Sequence, residues 1–141
     1  MKVYFVLGFL FSPDFKEVVL INKEHPEWQK GFLNGIGGKA ENQEPLQEAM
    51  RREFKEEAGL DIPYWNEVGV LDGKDFKVVV YTQTSELYKQ VQTKEDEVIE
   101  IIKVSDIKDR KVIPNLQWLI PLCIHYDFSS FIVSYQNKLP K

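Results

Sequence analysis

Three glutamates set close together, Glu53, Glu56 and Glu57, offer more chemistry than any other residues of this chain. They fall in the run GKAENQEPLQEAMRREFKEEAGL, from Gly38 to Leu60, directly after a glycine-rich stretch. On a helix, positions three and four apart are neighbours, so the three carboxylates project from a single face. Like charges that close repel and raise one another's pKa unless something neutralises them. A hard divalent cation does so naturally, because Mg2+ takes oxygen ligands and bridges carboxylates to substrate phosphates, and Mn2+ shares the preference. Carboxylates beside a glycine-rich turn thus point to metal-assisted phosphate chemistry. The competing reading is a solvated ladder of ion pairs, since Glu48, Arg52 and Glu56 also recur at four-residue spacing.

The wider spacing is more specific. Gly38, five residues, Glu44, seven residues, then Arg52-Glu53, Phe54, Lys55, Glu56-Glu57, Ala58, Gly59 and Leu60 fill every fixed position of G-x5-E-x7-R-E-U-x-E-E-x-G-U. In this box the chain resembles the Nudix hydrolases. The resemblance implies an α/β fold, an α/β/α sandwich with a mixed β-sheet, spanning one domain over residues 1–141. It implies Mg2+, or Mn2+ in its place, held by Glu53, Glu56 and Glu57 with the backbone carbonyl of Gly37 as a further ligand. Such ions supply Lewis acidity and lower the pKa of a bound water for phosphoanhydride cleavage. Arg52 and Glu44 would orient the constellation, either in catalysis or as an ion pair holding the loop to the helix. In several branches a glutamate of a late loop activates the water. Lys94-Glu95-Asp96-Glu97-Val98 is the comparable acidic cluster here, with Glu95 and Glu97 as the two candidates.

Substrate choice lies outside the box. Leu33-Asn34-Gly35-Ile36-Gly37-Gly38-Lys39 is similar to the N-G-F-G-G-K stretch of nucleoside triphosphatases acting on oxidised purine nucleotides, where the asparagine meets the base. Asn34 occupies that place, and an amide offers donor and acceptor together; Asn-Gly is also a strong turn signal. Pro114-Asn115 resembles the segment that reads the base from the other side, although Asn115 also suits a helix cap. The next residue, Leu116, departs from the paired aspartates of the oxidised-guanine enzymes. Lys39 can reach phosphate or be solvated, and Lys23 is a further substrate-binding candidate. Trp28 and Phe32 are candidates for stacking on a base, whereas Trp118 reads as core. His25 and His125 have no partner at metal-ligand spacing.

The implied reaction is hydrolysis of a nucleoside triphosphate to the monophosphate and pyrophosphate. ADP-ribose or a dinucleoside polyphosphate is the alternative substrate, but the proline such enzymes carry after the box is missing from Lys74 to Val80. A catalytically weak nucleotide-binding regulatory module is the reading from another class, and such proteins lose box glutamates that this chain keeps.

The elements that must position these groups follow from pattern. Lys2 to Phe11 and Glu17 to Asn22 are rich in β-branched and aromatic residues and read as strands. Lys23 to Leu33 reads as a loop, and Asn34 to Gly38 as too glycine-dense for a regular element. Leu46, Ala49, Met50 and Phe54 form the buried stripe of a helix stopped by Gly59, with the glutamates off that stripe. Strands are expected around Val68 to Leu71, Phe76 to Thr84, Val98 to Val104 and Ser130 to Tyr135, with a helix after Pro114. The apolar segment from Met1 to Phe11 lacks a small-residue cleavage site and runs into a Ser-Pro-Asp turn, so a buried strand is expected there rather than a signal peptide.

With 141 residues the chain has enough length for one core, and its net charge of −4 with no basic run argues against a nucleic-acid polymer as partner. No stretch reaches membrane-spanning length, so no membrane partner is expected. The single cysteine, Cys123, suits the core of a cytoplasmic protein, monomer or homodimer.

Overall fold

A computed structural model of the chain describes residues 2–125 and 130–136; Met1, where the N-terminal apolar segment starts, lies outside them. Its centre is a mixed sheet built on two long strands, β1 (Val3–Phe11) and β6 (Phe76–Thr84), which run parallel from Val3↔Phe76 to Phe11↔Thr84. Both strands are buried on two faces, which is why they read as nearly continuous apolar runs rather than as alternating ones. β5 (Asn66–Asp72) pairs antiparallel with β6, and β8 (Phe131–Ser134) pairs parallel with β5. On the other flank β2 (Glu17–Asn22) joins β1 and carries β3 (Leu33–Asn34) and β7 (Val98–Lys103). The expected layered α/β architecture is present.

One expectation is corrected here. The glycine-dense stretch is not irregular: β4 (Ile36–Lys39) pairs antiparallel with β1 from Gly8↔Ile36 to Phe5↔Lys39. Its glycines are required for space, since Gly37 and Gly38 do not adopt positive φ. A Cβ on Gly37 would lie 1.9 Å from the Val6 carbonyl oxygen, and one on Gly38 would lie 2.3 Å from Glu53 Oε2. Close approach of a second backbone and of a carboxylate is one of the few reasons a strand tolerates consecutive glycines. The loop expected over Lys23 to Leu33 is likewise partly ordered, with a short 3-10 turn at Glu27–Gln29 and the start of β3.

Two helices cover the sheet. α1 (Leu46–Ala58) packs Ala49, Met50, Phe54 and Ala58 against Val6, Leu10, Ile36 and Trp65, and ends at Gly59 with φ 72°. Gln47 clamps its first turn to the chain before β5, donating to the Trp65 carbonyl at 2.9 Å and accepting from the Trp65 amide at 2.6 Å. α2 (Leu116–Ile124) lays Leu116, Leu119, Ile120 and Cys123 on the opposite face. Trp118, expected in the core, is 39% exposed, because it falls off that stripe. No helix of the described residues is long and apolar enough to cross a membrane.

These contacts rank two glycine substitutions. A Cβ at Gly8 would meet the flexible tip of Met50 at 2.5 Å, whereas at Gly37 it meets fixed backbone. Gly8→Ala should cost about 1–3 kcal/mol and Gly37→Ala more than ~3 kcal/mol, the usual ceiling for overpacking. Urea unfolding of the two variants checks the order, and equal losses would mean that β4 is not pinned against β1.

Candidate active site

The acidic face of α1 is turned toward β4. Glu53 lies over Gly38, and Glu57, one turn further on, is buried beside it with its Oε2 atom lacking any partner. The glutamates were expected off the buried stripe; Glu57 is instead on its edge and only 7% exposed. Burial, and then the negative charge of Glu53, push the Glu57 carboxyl well above its ordinary range. Glu53 is raised in the same direction by its own burial, with the Arg52 charge acting against the rise.

Arg52 organises the outer side of this face. Its Nε and Nη2 donate to the two oxygens of Glu44 at 2.7 and 2.9 Å, a bidentate fork. Nη1 reaches Glu56 Oε2 at 3.4 Å and Glu53 Oε2 at 3.5 Å. Glu44 also accepts from the Glu41 amide at 3.0 Å, so the fork ties the loop before α1 to the helix. The Arg52 hydrogen bonds hold the Glu44 carboxyl below its usual range.

The late loop delivers one of its two candidate glutamates. The Gln92 amide donates to the Ala58 carbonyl at 2.8 Å, and the Lys94 side chain would touch a Cβ on Gly59 at 3.0 Å. Docked in this way on the C-terminal end of α1, the loop buries Glu97 near Glu57, whose charge it opposes. Glu97 accepts from Lys23 Nζ at 3.1 Å and from the amides of Glu24 and His25 at 2.7 and 3.3 Å. Burial works to raise the Glu97 carboxyl, but these donors outweigh it and the net shift is downward. Glu95 is exposed in the same loop. His25 Nε2 lies 3.8 Å from Glu97, a contact that its isolation in the sequence did not suggest.

Behind β4, on the α2 side, is a cavity of about 270 Å³. Phe5, Leu7, Trp28, Leu71 and Val78 supply apolar walls, and Asn34, Asn115, Gln29 and Lys23 supply polar ones. Gly37 and Gly38 border it as well, so the same two glycines face the cavity and the acidic helix. Two more open depressions lie elsewhere, one along Lys39 to Glu44 and one over Arg51, Lys55 and Lys94, and neither is enclosed by apolar walls. Asn115 stands at the start of α2 but makes no capping bond; its Nδ2 donates to the Tyr135 hydroxyl at 3.4 Å and its Oδ1 is buried without a partner. Lys39 is exposed at the end of β4, outside the cavity. Phe32 lies under Lys111, whose Nζ is 4.7 Å from the ring centre, rather than on the cavity wall. Nothing in the sequence marks Gln29 as a cavity residue except its place five residues before Asn34.

The donor set fits a hard divalent cation. The groups are all oxygen, and the buried Glu57 oxygen has no hydrogen-bond donor to balance it. Among the described residues no three acidic, histidine or cysteine side chains already close on one point, because Glu56 is turned to Arg52.

The family model described as NUDIX domain matches residues 3–121. A structure of MutT, from work on Aliivibrio salmonicida and Vibrio cholerae, is similar at 22% identity and a TM-score of 0.75, over 88% of this chain and 98% of that one. The MutT protein of Bacillus halodurans is 19% identical with a TM-score of 0.74, over 95% and 90%. The NUDIX domain of Shewanella oneidensis NrtR, complexed with ADP ribose, is 20% identical with a TM-score of 0.72, over 87% and 86%. A search of curated proteins finds no significant match.

The burial of Glu57 implies an opposition between stability and chemistry. In EDTA, Glu57→Gln removes a buried carboxyl that folding must either protonate or ionise beside Glu53 and Glu97, and should raise the melting temperature. Glu44→Gln breaks the fork to Arg52 and should lower stability by about 1 kcal/mol, the partial exposure of the pair being allowed for. Melting both variants beside the wild type checks this, and a destabilised Glu57→Gln would show that the buried carboxylate is already compensated within the fold.

Proposed function

This chain belongs to the NUDIX family, whose hydrolases act on pyrophosphate bonds, and on that premise we propose that it cleaves a nucleoside triphosphate to the monophosphate and pyrophosphate. The observation that carries this reading is the double role of Gly37 and Gly38. They border an apolar cavity ending in side-chain amides, and Glu53 covers Gly38 from the other helix layer. A base in that cavity has its phosphates led across the two glycines to the carboxylates.

Glu53, Glu56 and Glu57 are the side chains to hold Mg2+ or Mn2+, with the Gly37 carbonyl as a further ligand. A bound divalent ion would supply Lewis acidity to the phosphoanhydride and a more acidic attacking water. Arg52, fixed by Glu44, keeps the acidic face in register and neutralises part of its charge. Glu97, kept anionic by its donors, is the group to accept the proton of that water; exposed Glu95 is the weaker candidate. Lys23, held at the cavity edge by Glu97, is the cation assigned to phosphate, with Lys39 at the end of β4 as a second candidate. Asn34 and Asn115 bear on the base, and Trp28 offers a ring beside it. The setting this reading assumes is a cytoplasmic nucleotide pool, with neither nucleic-acid polymer nor membrane as partner.

A second substrate class has one observation in its favour: the NUDIX domain of similar fold from Shewanella oneidensis NrtR is complexed with ADP ribose. Product analysis separates the two readings. Purine triphosphates should give monophosphate and pyrophosphate in a reaction dependent on Mg2+, whereas preferred turnover of ADP-ribose would reassign the substrate.

Four variants test the residue roles. Glu57→Gln should lose on the order of a hundredfold or more in turnover, exceeding what loss of a mere supporting contact costs, and Glu97→Gln should fall far more than Glu95→Gln. Asn115→Ala should lose about 10- to 100-fold in kcat/KM on purine triphosphates, the equivalent of about 1–3 kcal/mol for an unpaired buried contact. Equal losses on a substrate without a base would make Asn115 a structural residue.

A further inference from the structure

The polarity of the cavity's amides can be traced from the backbone. Gly35 N–H donates to Asn34 Oδ1 at 2.8 Å. An N–H requires an acceptor, so this bond decides which end of the Asn34 amide is oxygen. Asn34 Nδ2 is then necessarily a donor, and one of its two N–H groups goes to Gln29 Oε1 at 3.1 Å. That second bond fixes the Gln29 amide in turn, and its Nε2 is the end left for the cavity that Gln29 lines. On the opposite wall Asn115 gives its Nδ2 to Tyr135, which leaves the buried and unpartnered Oδ1 as an acceptor. The cavity wall therefore carries a Gln29 amide donor, its orientation traced through Asn34 to the Gly35 N–H, and an Asn115 amide acceptor whose Nδ2 is turned to the Tyr135 hydroxyl.

We propose that Gln29 is the specificity-determining donor of this site, that Asn34 is a positioning residue acting through it, and that Asn115 Oδ1 is the matching acceptor. The inference rests on the nucleotide reading given above and deepens it. The ligand is a purine whose edge carries an acceptor for Gln29 and a donor for Asn115, as a 6-oxopurine or a 6-aminopurine does. About 270 Å³ is at the lower end of ligand pockets, which run to ~300–1,000 Å³, and suits a base rather than a whole nucleotide. With the ribose and phosphates left outside, Gln29 affects binding of the base and not the carboxylate chemistry.

The chain of bonds makes a non-additive prediction, because residues in one hydrogen-bond network do not contribute independently. Isothermal titration of guanosine, inosine and adenosine 5′-monophosphates, with ribose 5-phosphate as the base-free control, reads it directly. Gln29→Leu should weaken the purine monophosphates about tenfold, the size of one lost amide contact, and leave ribose 5-phosphate unchanged. Asn34→Ala should weaken the same ligands and add nothing in the Gln29→Leu background. Asn34→Asp guards against a disturbed turn, since it keeps the acceptor for Gly35 but offers Gln29 no donor. The Gln29 amide then turns over, presents its oxygen to the cavity, and the same loss is expected.

Wild-type affinity in Gln29→Leu, losses that multiply in the double variant, or a wild-type protein that binds no purine monophosphate would each overturn the inference. Turnover is scored separately. Discrimination among monophosphates without hydrolysis of triphosphates would sink the proposed reaction and keep the amide chain; hydrolysis with an indifferent Gln29 would do the reverse.

Discussion

The Glu57 carboxylate is buried against β4 with one oxygen unsatisfied, Glu53 a turn away and Glu97 within electrostatic reach. A charge in that position is held only if the surrounding structure is stable enough to carry it. Much of the architecture reads as a consequence. The stripe Ala49, Met50, Phe54 and Ala58 fixes α1 on the sheet, and the Gln47 clamp to Trp65 fixes its first turn. With the helix held in this rotation and translation, its Glu53 and Glu57 positions face the sheet rather than the solvent. The glycines of β4 complete the arrangement by leaving the volume their side chains would take.

The neighbouring charges are graded by how they are satisfied. Glu44 and Glu97 are each saturated by donors, one by a guanidinium fork and one by Lys23 and two backbone amides. Both carboxyls are shifted downward, whereas those of Glu53 and Glu57 are shifted upward. Groups of one chemical type thus fall into two sets: donor-satisfied ones that stay anionic, Glu44 tying its loop to α1 and Glu97 serving as the proposed proton acceptor, and unsatisfied ones, Glu53 and Glu57, the proposed cation ligands. Such a separation of carboxyls within one site is what acid–base assignment depends on.

Much of this was legible in the sequence because its determinants are local. The 3.6-residue period of α1, the Gly59 stop and the order of the main strands all depend on near neighbours, and the box spacing carried the family. What escaped depends on contacts distant in the chain. The glycine-dense stretch became β4 only because β1, some thirty residues earlier, offers it a partner at a distance that side chains would block. Trp118 reads as core by its type, whereas its phase on α2 turns it outward. Glu95 and Glu97 cannot be told apart by composition; only the docking of the loop on α1 buries one and exposes the other.

Gln29 is the clearest case of information that resides in polarity rather than in residue identity. A side-chain amide has two ends of nearly equal shape, and which of them faces a ligand is invisible in a sequence. Here a backbone N–H, whose chemistry admits no choice, sets Asn34, and Asn34 sets Gln29. The asparagine singled out by its place in the glycine run has its oxygen and one N–H committed within the fold. On the proposed reading its influence on a ligand passes through a residue five positions earlier. This chain of amides lies on the cavity side of Gly37 and Gly38 and the carboxylates of α1 on the helix side, with Lys23, at the cavity and paired to Glu97, as the link between them.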